Sequence, residues 1–169
     1  MLYTSVSRWS SPTRCAFLAE AHIDQSHCNY HLREALKSKG WELLFRDSPS
    51  HSRGGDGTQG QVLRIVEQNG WPIPDLVLVR LGVLLIVEID GTFSAAQGSF
   101  ERYGQLDEEL RAAFGNVAGQ SVGTVLYGFC KCSKTLSPET YFQREDGWPV
   151  DVVIAFSHPG APIFSRPLD

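Results

Sequence analysis

The sequence predicts an α/β fold in which helices flank a mixed β-sheet. Two consecutive runs, residues 73–80 and 83–90, carry apolar side chains on both faces, as central strands covered on each side do. Residues 27–39 before them and residues 100–114 after them have the apolar spacing of helices. The order of these patterns indicates an α/β sandwich built around a central hairpin.

The remaining elements are weaker in pattern. The first helix ends at Gly40, a natural residue beyond a helix C-terminus. We expect further elements in this order: a strand at 41–46, a short helix at 61–68, a polar turn at 91–98, a strand at 122–130, and weaker strands at 141–144 and 150–156. The coarse order is helix, strand, strand, strand, helix, strand, with the short helix inserted after the first strand.

The 169 residues suit one domain with one sizeable core, and no repeat or linker divides them. No apolar run approaches the ~20 residues of a membrane span. The polar residues 1–11 lack the apolar core of a signal peptide. We therefore expect a cytoplasmic protein with no membrane partner.

Cysteines stand at positions 15, 28, 130 and 132, and in a cytoplasmic chain we expect them to be reduced. Cys130 and Cys132 would point to one face of a strand, so a zinc site with histidines is an alternative. The sequence has no C-x-x-C pair, which is the usual spacing of structural zinc ligands.

The formal net charge of −4 argues against a protein that coats nucleic acid by bulk electrostatics. It does not exclude DNA as a substrate, because a local basic surface is enough. The Gly- and Ser-rich residues 47–60 leave two interpretations open. They form a surface loop, or a loop that becomes ordered on a phosphate backbone through His51, Arg53 and glycine N–H groups.

Acidic residues mark the open end of the central hairpin. If the turn is centred on Leu81-Gly82, Asp75 lies opposite Glu88, and Asp90 shares that face. A two-residue turn would require a positive φ at Leu81, which leucine disfavours. A four-residue loop keeps the same register, whereas a three-residue loop shifts it by one residue.

Three acids on one face of an apolar hairpin are costly, because like charges repel and burial adds to the cost. A bound cation removes this cost, and oxygen ligands from carboxylates suit Mg²⁺ or Mn²⁺. The alternative is that the acids are solvated at the strand ends or pair with an arginine, for which Arg80, Arg102 and Arg111 are available.

The pattern Pro74-Asp75, a gap of twelve residues, then Glu88-Ile89-Asp90 resembles the PD-(D/E)xK nuclease superfamily. The family's restriction-endonuclease-like core has the order αβββαβ, and the resemblance covers about residues 27–130. Asp90 occupies the usual lysine position. The run Glu88-Ile89-Asp90-Gly91 is most similar to the very-short-patch-repair-like endonuclease branch. The histidine that often follows there is absent, since Thr92-Phe93-Ser94 come next.

The resemblance implies a Mg²⁺- or Mn²⁺-dependent endonuclease acting on DNA rather than RNA, and a homodimer if both strands are cut. It implies that Asp75 and Glu88 hold the metal and that Asp90 is a further ligand or orients the attacking water. The alternative is an inactive module on the same fold that binds nucleic acid or a partner protein.

Two further site residues follow from the resemblance. Arg102 would supply the cation that stabilises the transition state, because no lysine lies between 39 and 131; Arg80 or a second metal are alternatives. Glu34 would be an additional metal ligand from the first helix. Its alternative role is a surface ion pair with Lys37, and the family's usual acid position falls nearer Asn29.

Overall fold

The computed structural model describes residues 24–47, 57–134, 149–158 and 161–168. These ranges contain the elements α1 (Gln25–Ser38), β1 (Glu42–Arg46), α2 (Thr58–Asn69), β2 (Leu76–Arg80), β3 (Val83–Asp90), α3 (Phe93–Gln105), α4 (Asp107–Ala118), β4 (Thr124–Lys134), β5 (Val152–His158) and β6 (Ala161–Phe164). The predicted strand at 141–144, His51 and Arg53 lie outside the described residues.

In the described part of the chain, one six-stranded sheet runs in chain order from β1 to β6. β1, β2 and β3 form an antiparallel meander, β3 and β4 are parallel, β4 and β5 are parallel, and β6 is antiparallel to β5. Helices α3 and α4 form the crossover that parallel β3 and β4 require. The predicted α/β class, with a mixed sheet flanked by helices, is confirmed.

Each face of the sheet is buried under its own helices. Val77 and Val79 belong to the cluster formed with α2, α3 and α4, whereas Leu76 and Leu78 belong to the cluster formed with α1. Alternation along a strand sends successive side chains to opposite faces. β2 and β3 therefore need apolar residues at nearly every position, as the sequence indicated.

The hairpin between β2 and β3 has the symmetric register that we predicted, with Leu76 paired to Val87 and Arg80 paired to Val83. Its turn has two residues, Leu81 with φ 49° and Gly82 with φ 75°. Such a turn matches the twist of the strands. Leu81 thus lies in the left-handed region, which costs about 1–2 kcal/mol for a residue with a Cβ, and the two-residue turn forms rather than the four-residue loop of the same register.

The segment after β3 differs from the prediction. A polar turn was expected at 91–98, but α3 begins at Phe93, because Phe93, Ala96, Phe100 and Tyr103 form a buried stripe with helical spacing. The expected single helix at 100–114 is also wrong, since the chain breaks at Leu106 and α4 starts at Asp107. Three acidic residues in the first turn of α4 favour a new helix N-terminus there.

A disulfide joins Cys28 on α1 to Cys132 on β4, so the expectation of reduced cysteines is wrong for this pair. β4 continues to Lys134, past the predicted end at residue 130. This extension places both Cys130 and Cys132 on the α1 face, where Cys28 is also buried. The bond consumes a ligand of the alternative zinc site. Cys130 is a free, buried thiol.

No helix within the described ranges is long and apolar enough to cross a membrane.

Candidate carboxylate site

Asp75 and Glu88 meet at the open end of the β2–β3 hairpin. Asp75 immediately precedes β2, and Glu88 lies near the end of β3. Continuing the register from the Leu76–Val87 pair places the two residues opposite each other. Their carboxyl groups lie within hydrogen-bonding reach of one another.

The carboxylate of Asp75 is fixed by the end of β3 and by α1. Its Oδ2 accepts a 2.6 Å hydrogen bond from the backbone N–H of Ile89. The Gln25 side chain donates to Asp75 Oδ1 at 3.4 Å and to the Ile89 carbonyl at 2.8 Å. Asp75 and Gln25 thus satisfy the backbone groups of Ile89 where the ladder with β2 ends.

Glu88 is held from the opposite side, by α3. Its side chain is among the core residues, with 9% of its surface exposed, and its Oε1 accepts a 2.6 Å hydrogen bond from the Tyr103 hydroxyl. The ring of Tyr103 stacks on the ring of Tyr127 with an interplanar angle of 3°. Tyr103 therefore sets the position of the Glu88 carboxyl group.

Burial raises the pKa of both acids. Desolvation raises the pKa of Asp75 to about 6, and the backbone N–H of Ile89 offsets part of this effect. Desolvation also raises the pKa of Glu88 to about 8, although the hydrogen bond from Tyr103 opposes it, and the charge of Asp75 adds to the increase. Near neutral pH the pair therefore retains a proton, which belongs to the two acids together.

Asp90 lies beside this pair but remains exposed. Its Oδ1 accepts a hydrogen bond from the N–H of Thr92, and its charge contributes to the raised pKa of both Asp75 and Glu88. Within the described part of the chain, no group of three or more His, Cys, Asp or Glu side chains is arranged to hold a metal ion.

The contacts of Arg102 and Glu34 lie elsewhere. The guanidinium of Arg102 donates a 2.6 Å hydrogen bond to the carbonyl of Gly70. Glu34 forms an ion pair with Lys37 at 3.4 Å on an exposed face of α1. Neither of these contacts is with Asp75 or Glu88.

The other two arginines that could have paired with the acids are also engaged away from them. Arg80, at the turn end of the hairpin, donates to the carbonyl of Leu168 at 3.2 Å. Arg111 forms an ion pair with Asp107 at 3.0 Å.

Three residues near the pair were not predicted from the sequence. Lys131 on β4 is the register partner of Asp90, so both project from the same face of the sheet. Tyr103 was predicted only as part of an apolar stripe, although a buried tyrosine hydroxyl usually needs a partner. Gln25 carried no signal, because its contact depends on how α1 packs against the sheet.

A groove of about 490 Å³ adjoins Asp75 between α1 and the end of β1. We call it the α1–β1 groove, and its lining includes Ser26, Asn29, Tyr30 and Arg33 from α1 and Arg46, Asp47 and Asp75 from the strand side. A larger cavity of about 730 Å³ lies along α4 and shares no lining residue with this groove.

Neither a protein-family model nor a curated protein matches the chain. Within the described residues, the fold and the site define an α/β protein with a six-stranded mixed sheet and a carboxyl pair, half-buried at Asp75 and buried at Glu88, at the end of its central hairpin. The pair fits a hard divalent cation in its donor chemistry, since all of its donors are carboxylate oxygens. One oxygen of each acid is oriented by a short hydrogen bond, from Ile89 N–H or Tyr103 O–H, as ligands in metal sites commonly are.

Proposed function

We propose that the protein is a metal-dependent endonuclease that hydrolyses DNA phosphodiester bonds on a restriction-endonuclease-like core. The observation that carries this proposal is the Asp75–Glu88 pair, in which Asp75 is half-buried, Glu88 is buried and the two carboxyl groups lie within reach of each other. Two adjacent buried acids are costly unless a proton or a cation neutralises them. A divalent cation would replace the shared proton and use both carboxylates.

Asp75 and Glu88 would hold Mg²⁺ or Mn²⁺, which supplies Lewis acidity and lowers the pKa of a bound water. The chain's own residues prepare the site. Tyr103 orients Glu88, and the N–H of Ile89 orients Asp75. Asp90 is exposed beside the pair, where its carboxylate can accept a hydrogen bond from the attacking water and orient it.

Lys131 is our candidate for the cation that stabilises the charge on the phosphate. It lies across from Asp90, which occupies the lysine position of the family motif, so a lysine on the neighbouring strand reaches the same edge of the sheet. Arg102 is less suited to this role, because its guanidinium is bound to the Gly70 carbonyl. Asn29 lines the groove next to Asp75, whereas Glu34 is in a surface ion pair, which argues against Glu34 as a metal ligand.

A non-catalytic module that binds nucleic acid or a partner protein is the second candidate. It is favoured by the structural use of Asp75, whose carboxylate caps the end of β3 by accepting the N–H of Ile89. In that case the pair would keep its proton and stabilise the hairpin without a metal.

Cleavage of DNA by the purified full chain distinguishes the two candidates. Supercoiled, linear duplex and single-stranded DNA are each incubated with Mg²⁺ or Mn²⁺. We expect cleavage that falls by roughly two orders of magnitude or more in Asp75→Asn and Glu88→Gln. Glu34→Gln is the matched control, since it removes an acid from the exposed face of α1, and it should cleave like the wild type. Wild-type protein that cleaves no substrate with either metal would overturn the endonuclease proposal.

A further inference from the structure

The α1–β1 groove is continuous with the carboxyl pair through Asp75, which lines the groove and also contacts Glu88. The side of the groove formed by the end of β1 begins next to Asp75. The N–H of Asp47 donates to the carbonyl of Asp75 at 2.9 Å, and Arg46 pairs with Leu76 in the sheet. A nucleic-acid strand with a phosphate at the carboxyl pair can therefore extend into the groove.

The helix wall comes from one face of α1. Ser26, Asn29, Tyr30 and Arg33 are spaced three, one and three residues apart, which places them on the same side of a helix. Asp24 caps this helix by accepting the N–H of Ser26, so the first turn is held in place.

The groove carries an exposed aromatic ring and two arginines, and three acids also line it: Asp24, Asp47 and Asp75. Tyr30 is 53% exposed, whereas most large hydrophobic side chains among the described residues are buried. The Arg33 guanidinium lies 5.7 Å from the centroid of the Tyr30 ring, and Arg46 faces the groove from the opposite wall. Aromatic rings that stack on bases, together with arginines that contact phosphates, are the usual means of binding single-stranded nucleic acid.

The size of the groove favours one strand over a duplex. A volume of about 490 Å³ is that of a site for a small ligand or a single residue of a polymer. A duplex keeps its base faces stacked inside, where Tyr30 could not reach them. The net charge of −4 also argues against a broad basic surface for duplex DNA.

From these observations we infer that the α1–β1 groove binds an unpaired nucleotide of a DNA strand next to the scissile phosphate. Tyr30 stacks on the base, Arg46 contacts the adjacent phosphate, and Arg33 supports the Tyr30 ring. This inference rests on the proposed nuclease function for the position of the scissile bond, but the binding itself does not depend on cleavage.

Fluorescence anisotropy with EDTA present tests the groove without cleavage. The probes are a short fluorescein-labelled oligodeoxynucleotide of mixed sequence and the same strand annealed to its complement, titrated with the full-length protein. We expect tighter binding to the single strand, weakened roughly 5- to 100-fold by Tyr30→Ala and also weakened by Arg46→Gln. Tyr30→Phe keeps the ring and should bind within about twofold of the wild type.

Arg64→Gln is the control for charge, since Arg64 is exposed on α2 and does not line the groove. Because Tyr30 is largely exposed, its alanine variant should fold, and circular dichroism checks this. The inference is overturned if Tyr30→Ala binds the single strand as the wild type does, or if the duplex binds as tightly with the same losses. If the protein binds the single strand but cleaves no DNA, the nuclease proposal is wrong and the inference about the groove stands. If it cleaves duplex DNA and Tyr30→Ala changes nothing, the nuclease proposal stands and the inference about the groove is wrong.

Discussion

The hydroxyl of Tyr103 donates a 2.6 Å hydrogen bond to Oε1 of Glu88, and both side chains are buried between the sheet and α3. The bond connects the helix that follows the acidic motif to the motif itself. It gives a buried carboxyl group a defined orientation, which a metal ligand needs and a solvated surface acid does not have.

Replacing Tyr103 with phenylalanine should remove the hydrogen bond that orients Glu88 while keeping the packing of the aromatic ring. The ring keeps its contacts, but Glu88 loses its donor, so we expect a loss of about 1–3 kcal/mol in the free energy of unfolding at pH 7. Urea denaturation measures this loss. Tyr127→Phe is the matched control, because its hydroxyl contacts Asp107 and the Tyr103 carbonyl rather than Glu88. If Tyr103→Phe unfolded at the same urea concentration as the wild type, the assigned role of Tyr103 would be wrong.

The pH dependence of stability should report Glu88. Its pKa is about 8 in the folded protein against an ordinary value of 4.5, so the folded state binds more protons across that interval. Stability is therefore greatest below about pH 4.5 for this group and is lost as the pH rises through about 8. Asp75 acts in the same direction, with a folded pKa of about 6.

The experiment compares wild type with Glu88→Gln, by urea denaturation in EDTA between about pH 6 and about pH 9. Glutamine has the shape of the protonated acid but cannot ionise. We expect the wild type to lose stability on the order of a few kcal/mol more than the variant over this range. Parallel profiles for the two proteins would show that Glu88 ionises without cost.

Binding of a divalent metal should offset the loss of stability that ionisation of Glu88 causes. A cation that binds the ionised pair competes with the proton, so its stabilising effect must grow with pH. We expect Mn²⁺ to raise the melting temperature more at about pH 8 than at about pH 6, and EDTA to abolish the shift. Asp75→Asn should show no shift at either pH. An equal shift in that variant would place the metal elsewhere on the protein.

The disulfide should stabilise the face of the sheet that carries α1. Cys28 and Cys132 are 104 residues apart, and cross-links of native chains commonly contribute about 2–5 kcal/mol. We expect Cys28→Ser to lower the urea midpoint of the oxidised protein. Addition of dithiothreitol should lower the midpoint of the wild type but leave that of the variant unchanged. A wild type that does not respond to dithiothreitol would contradict the bond.

The sequence predicted those parts of the fold that depend on local periodicity. The register of β2 against β3 followed from a turn centred on Leu81-Gly82, and this register brought Asp75 opposite Glu88. The start of α3 at Phe93 was missed, because Ser94, Gly98 and Ser99 have the composition of a turn while the buried stripe between them is helical.

The contacts that complete the site are long-range and had no local signal. Gln25 reaches Ile89 across 64 residues, and Cys28 reaches Cys132 across 104. Both depend on the docking of α1 against one face of the sheet. Lys131 could have been found, because β4 follows the crossover helices and a parallel strand there ends beside β3. Arg102 was predicted instead because it lies closer to the acidic motif along the sequence than Lys131 does.

We expect substitutions of Lys131 and of Arg102 to have different effects on the proposed nuclease activity. Lys131 is the register partner of Asp90, so Lys131→Met should lower kcat by roughly 100-fold or more while changing KM little, as expected of a charge used mainly in the transition state. Lys131→Arg should recover part of the activity, because it restores the charge with a different shape. Lys37→Met, on the exposed face of α1, is the control for loss of a positive charge.

Arg102→Met should leave kcat within a few-fold of the wild type and instead lower stability slightly, through loss of its bond to the Gly70 carbonyl. A large fall in kcat for Arg102→Met with an active Lys131→Met would reverse the assignment, and the cation would then lie on the helix after the motif.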